Sequence, residues 1–200
     1  MSKVNVQDKD VVVPGEVLAV GMDNFPGAGT CREGENIVAS MLGLVQLDGR
    51  TIKLIPLSGR YIPKMYDTII CRVIDVNMSG WRLDTNSPYS AMLSMKEATS
   101  QFIPRGADLT KFYDIGDYIS CKVINVTSQK LVDVTVKGMG LRKLQGGRVI
   151  NVASNKVPRI VGKQGSMVSM INDVTKCNIV VGQNGLIWIR NDIDRAIEIN

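Results

Sequence analysis

Between residues 11 and 137 every apolar run is short and ends at glycine, proline or a polar turn. Val11-Val12-Val13 stops at Pro14-Gly15, and Glu16-Val17-Leu18-Ala19-Val20 runs into Gly21. Glycine and proline punctuate residues 24–30, which read as a loop. The run 37–47 closes on Asp48-Gly49, a turn pair suited to positive backbone angles, and 51–57 pairs with it as a hairpin. A chain broken this often cannot build a long helical bundle; it builds short strands joined by turns. The 19 glycines and 5% aromatic content point the same way, and 44% hydrophobic with 22% charged residues gives a chain that folds. Residues 1–60 are expected to form a small β barrel or sandwich, which buries little surface alone.

Residues 61–145 repeat the strand pattern with one long interruption. Strands are expected at 67–76, 81–85, 89–93, 114–126 and 131–137, with turns at Asn77-Met78-Ser79-Gly80 and at Gln129-Lys130. A long connection, 95–113, separates the third from the fourth. Five strands so arranged predict a five-stranded OB barrel.

The last segment, 146–200, changes character. A strand is expected at 148–152, a short helix from Lys156 with Pro158 near its first turn, then Gly162-Lys163-Gln164-Gly165 and a second helix over 166–174. Strands at 178–181 and 186–189 flank Gly182-Gln183-Asn184-Gly185, and Asp192 can cap a closing helix over 193–199. The order β-α-α-β-β-α is that of a type I KH domain. The closing helix stops after barely two turns, so the sequence reads as ending short. The fold class is therefore mainly β with an α+β C-terminal part.

Histidine is absent, which excludes Ser-His-Asp and Cys-His catalysis and every His-ligated metal site. Cys31, Cys71, Cys121 and Cys177 contain no C-x-x-C pair and lie in or beside apolar stretches, so all four are expected as buried free thiols in a reducing compartment. No apolar run approaches the roughly 18 residues of a bilayer span, and residues 1–5 lack the apolar core of a leader. A soluble, cytoplasmic protein with no membrane partner is expected. The net charge of +5 divides as −1 over 1–60, +3 over 61–145 and +3 over 146–200, a mild bias toward an anionic partner.

The sharpest candidate site is 162–165. Two glycines let a nucleic-acid backbone approach, the following helix offers free N–H groups, and Lys163 adds charge, with Arg159 just upstream. A plain helix–helix turn is the alternative. On the barrel, Trp81 and Tyr89 are either base-stacking platforms or core residues. Arg82, Lys96, Arg105, Lys111 and Lys122 are candidate RNA-backbone contacts, three of them in the long connection. The candidate RNA-binding set is thus Arg159, Gly162, Lys163, Gln164, Gly165, Trp81, Arg82, Tyr89, Lys96, Arg105, Lys111 and Lys122. The second Gly-x-x-Gly, 182–185, lies between strands and reads as structural. Asp114, Asp117 and Asp133 could gather around Mg²⁺, but Asp114-Ile115-Gly116-Asp117 fits a strand entry and no nucleophile-positioning set accompanies them. No catalytic residue, metal or cofactor is expected.

With Val13-Pro14-Gly15-Glu16-Val17, Gly27-Ala28-Gly29-Thr30, Trp81-Arg82-Leu83-Asp84, Asn86-Ser87-Pro88-Tyr89, Asp114-Ile115-Gly116-Asp117, Gly162-Lys163-Gln164-Gly165-Ser166-Met167 and Gly182-Gln183-Asn184-Gly185 in this order, the chain resembles the S1-KH type of RNA-binding cap subunit of the archaeal exosome. The resemblance spans nearly the whole chain and makes the barrel an S1-type domain. It implies a non-catalytic subunit that captures single-stranded RNA and guides its 3′ end into a ring of phosphorolytic exoribonuclease subunits. It further implies a trimeric cap, able to include the other S1-containing cap subunit, with residues 1–60 docked on the ring. Tyr66-Asp67 stands where this family usually has Gly-Asp, and the barrel is poor in aromatics, which favours electrostatic, sequence-tolerant capture. Two competing readings remain: a phosphorolytic ribonuclease carrying S1 and KH domains, and a ribosome- or transcription-associated RNA binder.

Overall fold

In a computed structural model, residues 3–99, 103, 104 and 106–191 are described. Two compact units divide at Gly59 and Arg60. In the first, β1 (Lys3–Val4), β3 (Val17–Val20), β6 (Asn36–Ala39) and β5 (Thr30–Glu33) form one sheet in that order. The strands β2 (Val11–Val12), β7 (Gly43–Asp48), β8 (Thr51–Pro56) and β4 (Phe25–Pro26) form the other. Alternation along these strands buries Val12, Leu18, Ala19, Ile37, Ala39, Val45, Ile52 and Leu54 in one core, so the unit is a small β sandwich. Asp48 pairs with Thr51 across a tight turn in which Gly49 has φ +60°, as its Asp-Gly pair predicts. The expected run 37–47 is split into β6 and β7 at 40–42, and Gly43, which opens β7, packs against the Ile55 carbonyl where a Cβ would come within 2.8 Å.

In the second unit, β9 (Thr68–Asn77), β10 (Gly80–Asp84) and β11 (Ser90–Ser94) make a meander. Next come α1 (Met95–Ala98), β12 (Tyr118–Val126), β13 (Val132–Thr135) and β14 (Lys143–Leu144). The strand β13 pairs parallel with β11 and antiparallel with β12, and β12 pairs with β9, which closes a five-stranded barrel. Its core holds Cys71, Val73, Trp81, Leu83, Ala91, Leu93, Ile119, Cys121, Val123, Val132 and Val134. The long connection is more than a loop. It contributes Ala98, Ile103, Leu109 and Tyr113 to that core, with the Tyr113 hydroxyl donating to the Ala98 carbonyl.

After the barrel come β15 (Arg148–Asn151), α2 (Val157–Val161), α3 (Ser166–Thr175), β16 (Cys177–Val181) and β17 (Leu186–Asn191), with sheet order β15-β17-β16. The expected closing helix, 193–199, lies outside the described residues. Val149, Trp188 and Val180 form one cross-strand row, and this row packs on Ile70 and Leu144 of the barrel. The shared cluster makes barrel and α+β module one unit.

The expectation that all four cysteines are buried is corrected. Cys71 and Cys121 are buried, but Cys31 is exposed and Cys177 half-buried. Cys31 sits on β5, the edge strand of its sheet, and Cys177 begins β16, also an edge.

Candidate nucleic-acid interface

The helix α2 stops at Gly162, where φ is +71°, and the chain reaches α3 through two more left-handed residues, Gln164 (φ +52°) and Gly165 (φ +81°). Glycine is required at 162 because a Cβ would meet the Met167 side chain at 2.6 Å and its backbone nitrogen at 3.0 Å. Lys163 and Gln164 project into solvent, as does Arg159 on α2. No side chain caps the N-terminus of α3. The Ser166 N–H donates to the Lys163 carbonyl, so it is the N–H groups after it that no side chain caps, with the positive end of the helix dipole behind them. Neither Arg159 nor Lys163 forms an ion pair with a described residue.

The barrel treats its candidates unequally. On β10 the strand alternation turns Trp81 and Leu83 inward and Arg82 outward. Trp81 is 0% exposed, donates its indole N–H to the Tyr113 carbonyl at 2.8 Å, and meets the Tyr113 ring edge-on at 5.2 Å. No base can stack on it, and the reading of Trp81 as a platform is corrected to a core residue. Tyr89 lies in the turn before β11 rather than on a strand, and is half-buried against the core. Arg82 is exposed but stands opposite Asp75 and Met92, so a carboxylate partly offsets its charge. Lys96 and Lys111 are exposed on the connection that plugs the barrel, and Arg105 lies outside the described residues. Lys122 is exposed on β12 opposite Thr68, with its ammonium 5.6 Å from the centroid of the Tyr66 ring. Asp75 and Thr68 are at opposite ends of β9, so Arg82 and Lys122 are roughly 20 Å apart along the strand. The barrel cations are thus dispersed.

Two residues that sequence reasoning did not assign to the interface stand out. Tyr66 is exposed and left-handed, with φ +71°. Asn184, inside the second Gly-x-x-Gly turn, is 1% exposed and holds the module onto the barrel. Its Nδ2 donates to the Ile70 carbonyl at 2.7 Å and the Thr85 carbonyl at 2.8 Å, and its Oδ1 accepts from the Ile70 N–H at 3.3 Å. Beside it the Gln183 N–H donates to the Thr68 carbonyl, and the Asn86 side chain donates to the Asn184 carbonyl and to Asn151. The signal for Asn184 was present as a short polar residue between turn glycines; its partners, more than 90 residues away, were not legible.

The carboxylates considered for an ion each have separate partners. Asp117 accepts from the Asp114 N–H and pairs with Lys143, and Asp133 accepts from Asn125. The Cys71 thiol lies 3.3 Å from that of Cys121 in the barrel core, and burial, followed by the Cys121 contact, pushes it well above the ordinary thiol range. It stays protonated and is a poor nucleophile.

Comparison with known proteins follows this division of the chain. The family described as the exosome complex exonuclease RRP4 N-terminal region matches residues 11–48, the RRP4 S1 domain matches 60–125, and the KH domain matches 147–194. The chain is 44% identical to the exosome complex component Rrp4 of Pyrococcus furiosus over 94% of its own length and 72% of the relative's. The chain belongs to the Rrp4 family. The Methanobrevibacter smithii Rrp4 is 42% identical over 96% of this chain, which spans 63% of that relative's length. A crystal structure described as that of an exosome complex RNA-binding protein superposes with TM-score 0.60 at 32% identity, covering 70% of this chain and 85% of that one. Family membership makes the barrel an S1 domain and the last module a KH domain, mainly β with an α+β end. Among the described residues no helix is long and apolar enough to cross a membrane.

Proposed function

We propose that this Rrp4 family member is a non-catalytic RNA-binding cap subunit of a cytoplasmic exosome, capturing single-stranded RNA and guiding its 3′ end into a phosphorolytic ring. The carrying observation is the open 162–165 turn on a KH module fastened to an S1 barrel. There a helix N-terminus without a side-chain cap and two exposed cations, with no ion pair to a described residue, face solvent together. Backbone N–H groups and cations read phosphates, not bases, so capture is tolerant of sequence. Dispersed barrel cations Arg82, Lys96, Lys111 and Lys122 suit weak contacts spread along a strand that must keep sliding. Residues 1–60 form the part that docks on ring subunits, consistent with exposed Val11, Val13, Met22 and Phe25. Residues 61–145 face the entry pore in a trimeric cap, which can include the other S1-containing subunit, and residues 146–200 sit outside them.

The test uses the full chain with fluorescently labelled single-stranded RNA. Binding is expected to be weak and to fall with salt, with a log–log slope of about −0.7 per phosphate contact. Ring subunits of the phosphorolytic family should co-purify from native lysate. Phosphate-dependent shortening of RNA by the chain alone would overturn the non-catalytic reading. Co-purification with ribosomes or RNA polymerase in place of ring subunits would overturn the partner assignment.

A further inference from the structure

Tyr66 occupies the third position of the turn 64–67, in which the Asp67 N–H donates to the Lys64 carbonyl at 3.3 Å. With φ +71° this position belongs to glycine or asparagine, and a bulky aromatic there is strained. The backbone cannot relax around it. The Tyr66 N–H donates to the Val123 carbonyl at 2.9 Å, the Val123 N–H to the Asp67 carbonyl at 2.9 Å, and the Tyr61 hydroxyl to the Asp67 carboxylate at 2.5 Å. The ring contributes nothing to the core, since Tyr66 is 69% exposed. One side of it faces the Lys122 ammonium at 5.6 Å, and the exposure leaves the other open. A strained backbone that holds an aromatic ring out of the fold, backed by a cation, is an arrangement for a ligand rather than for stability.

We propose that Tyr66 is a stacking platform for one base of single-stranded RNA, with Lys122 drawing the adjoining phosphate. The platform stands beside the barrel–KH junction, because Thr68, two residues on, accepts from Gln183 of the KH turn. It adds a stacked base to the electrostatic capture proposed above, and it rests on that reading. Every base has a π-face, so the platform accepts any sequence while favouring purines, whose larger rings stack better.

The test compares the full chain with its Tyr66→Phe, Tyr66→Gly and Tyr66→Asn variants on single-stranded RNA carrying 2-aminopurine, read by anisotropy and by quenching of the reporter base. The phenylalanine variant should bind within about twofold of the parent and quench equally. The glycine and asparagine variants, both at home at positive φ, should keep or raise the melting temperature, lose about fivefold or more in affinity, and lose the quenching. Unchanged affinity and quenching in the glycine and asparagine variants would overturn the platform and leave RNA capture standing. A parent chain that binds no RNA would overturn both.

Discussion

The turns at 162–165 and 182–185 share the pattern Gly-x-x-Gly and lie in the same module, yet their third residues, Gln164 and Asn184, face opposite surroundings. In the first, Lys163 and Gln164 point into solvent, and a Cβ on Gly165 would meet nothing within 4 Å. In the second, Asn184 is buried against the barrel, and a Cβ on Gly185 would lie 2.1 Å from the Val152 carbonyl oxygen. The two final glycines have nearly the same backbone angle, φ +81° and +88°. The final glycine's angle therefore does not separate the binding loop from the structural one; the surroundings do, together with the positive φ of Gly162 and Gln164, which Gly182 and Asn184 do not share. The first turn bends between two helices and leaves an N-terminus uncovered; the second bends between two strands whose shared face is already pressed on Ile70 and Leu144.

The sharpest way to break the comparison is the same substitution in both turns. Gly185→Ala adds backbone strain and drives a methyl group into a carbonyl that β15 and its neighbours hold fixed. A loss of about 4 kcal/mol is expected, a fall of about 8–16 °C in melting temperature by calorimetry. An unchanged melting temperature would mean the turn is not packed against the chain at Val152 that follows β15. Asn184→Asp comes next, at about 3 kcal/mol, because the carboxylate keeps the acceptor for the Ile70 N–H but sets negative charge against the two carbonyls that Nδ2 satisfied. Burial and those carbonyls raise the carboxyl's pKa in the folded state. The deficit is then smallest below about pH 4, where both states are protonated, and grows as pH rises toward the folded pKa. Urea melts at pH 3.5 and 7.5 measure it.

The contrast also shows where sequence was informative. Strand alternation and turn residues located the barrel and the KH order, because both signals are local. The face of β10 was equally local, since alternation with Leu83 places Trp81 inside, but an aromatic beside Arg82 also resembles a stacking site. Tyr66 stands in a slot where the family usually has glycine, and its exposure depends on the Val123 and Asp67 hydrogen bonds that fix the turn, which are tertiary. The plug formed by Ala98, Ile103, Leu109 and Tyr113 is not legible in the sequence because its apolar residues follow neither helical nor strand spacing. The partners of Asn184 are set by tertiary packing alone.

On the open turn the effects move from folding to binding. Lys163→Glu exchanges an exposed cation, with no ion pair to a described residue, for an anion at the positive end of α3. Stability should stay within about 0.5 kcal/mol, as for most surface changes, and the negative charge at an N-terminus is itself tolerated. Affinity for single-stranded RNA should fall by about three- to tenfold at low salt, and the salt slope should shrink by about 0.7. A variant with unaltered affinity would place the RNA path elsewhere on the unit.

The smallest effect is expected where the comparison is closest. Gly165→Ala places a methyl group at nearly the same φ as Gly185→Ala, but into open space. Only the intrinsic cost of a left-handed alanine remains, about 1 kcal/mol, part of which is offset because alanine has less freedom to lose from the unfolded chain. The melting temperature should fall by about 2–4 °C, well short of the change at 185. RNA affinity serves as the second measurement. If phosphate approaches the α3 N-terminus through this turn, even a methyl group at its last residue crowds the ligand, and affinity falls while the fold persists. A drop in stability matching that of Gly185→Ala would show that 162–165 is also packed against something, and the distinction between an open and a seated turn would not survive.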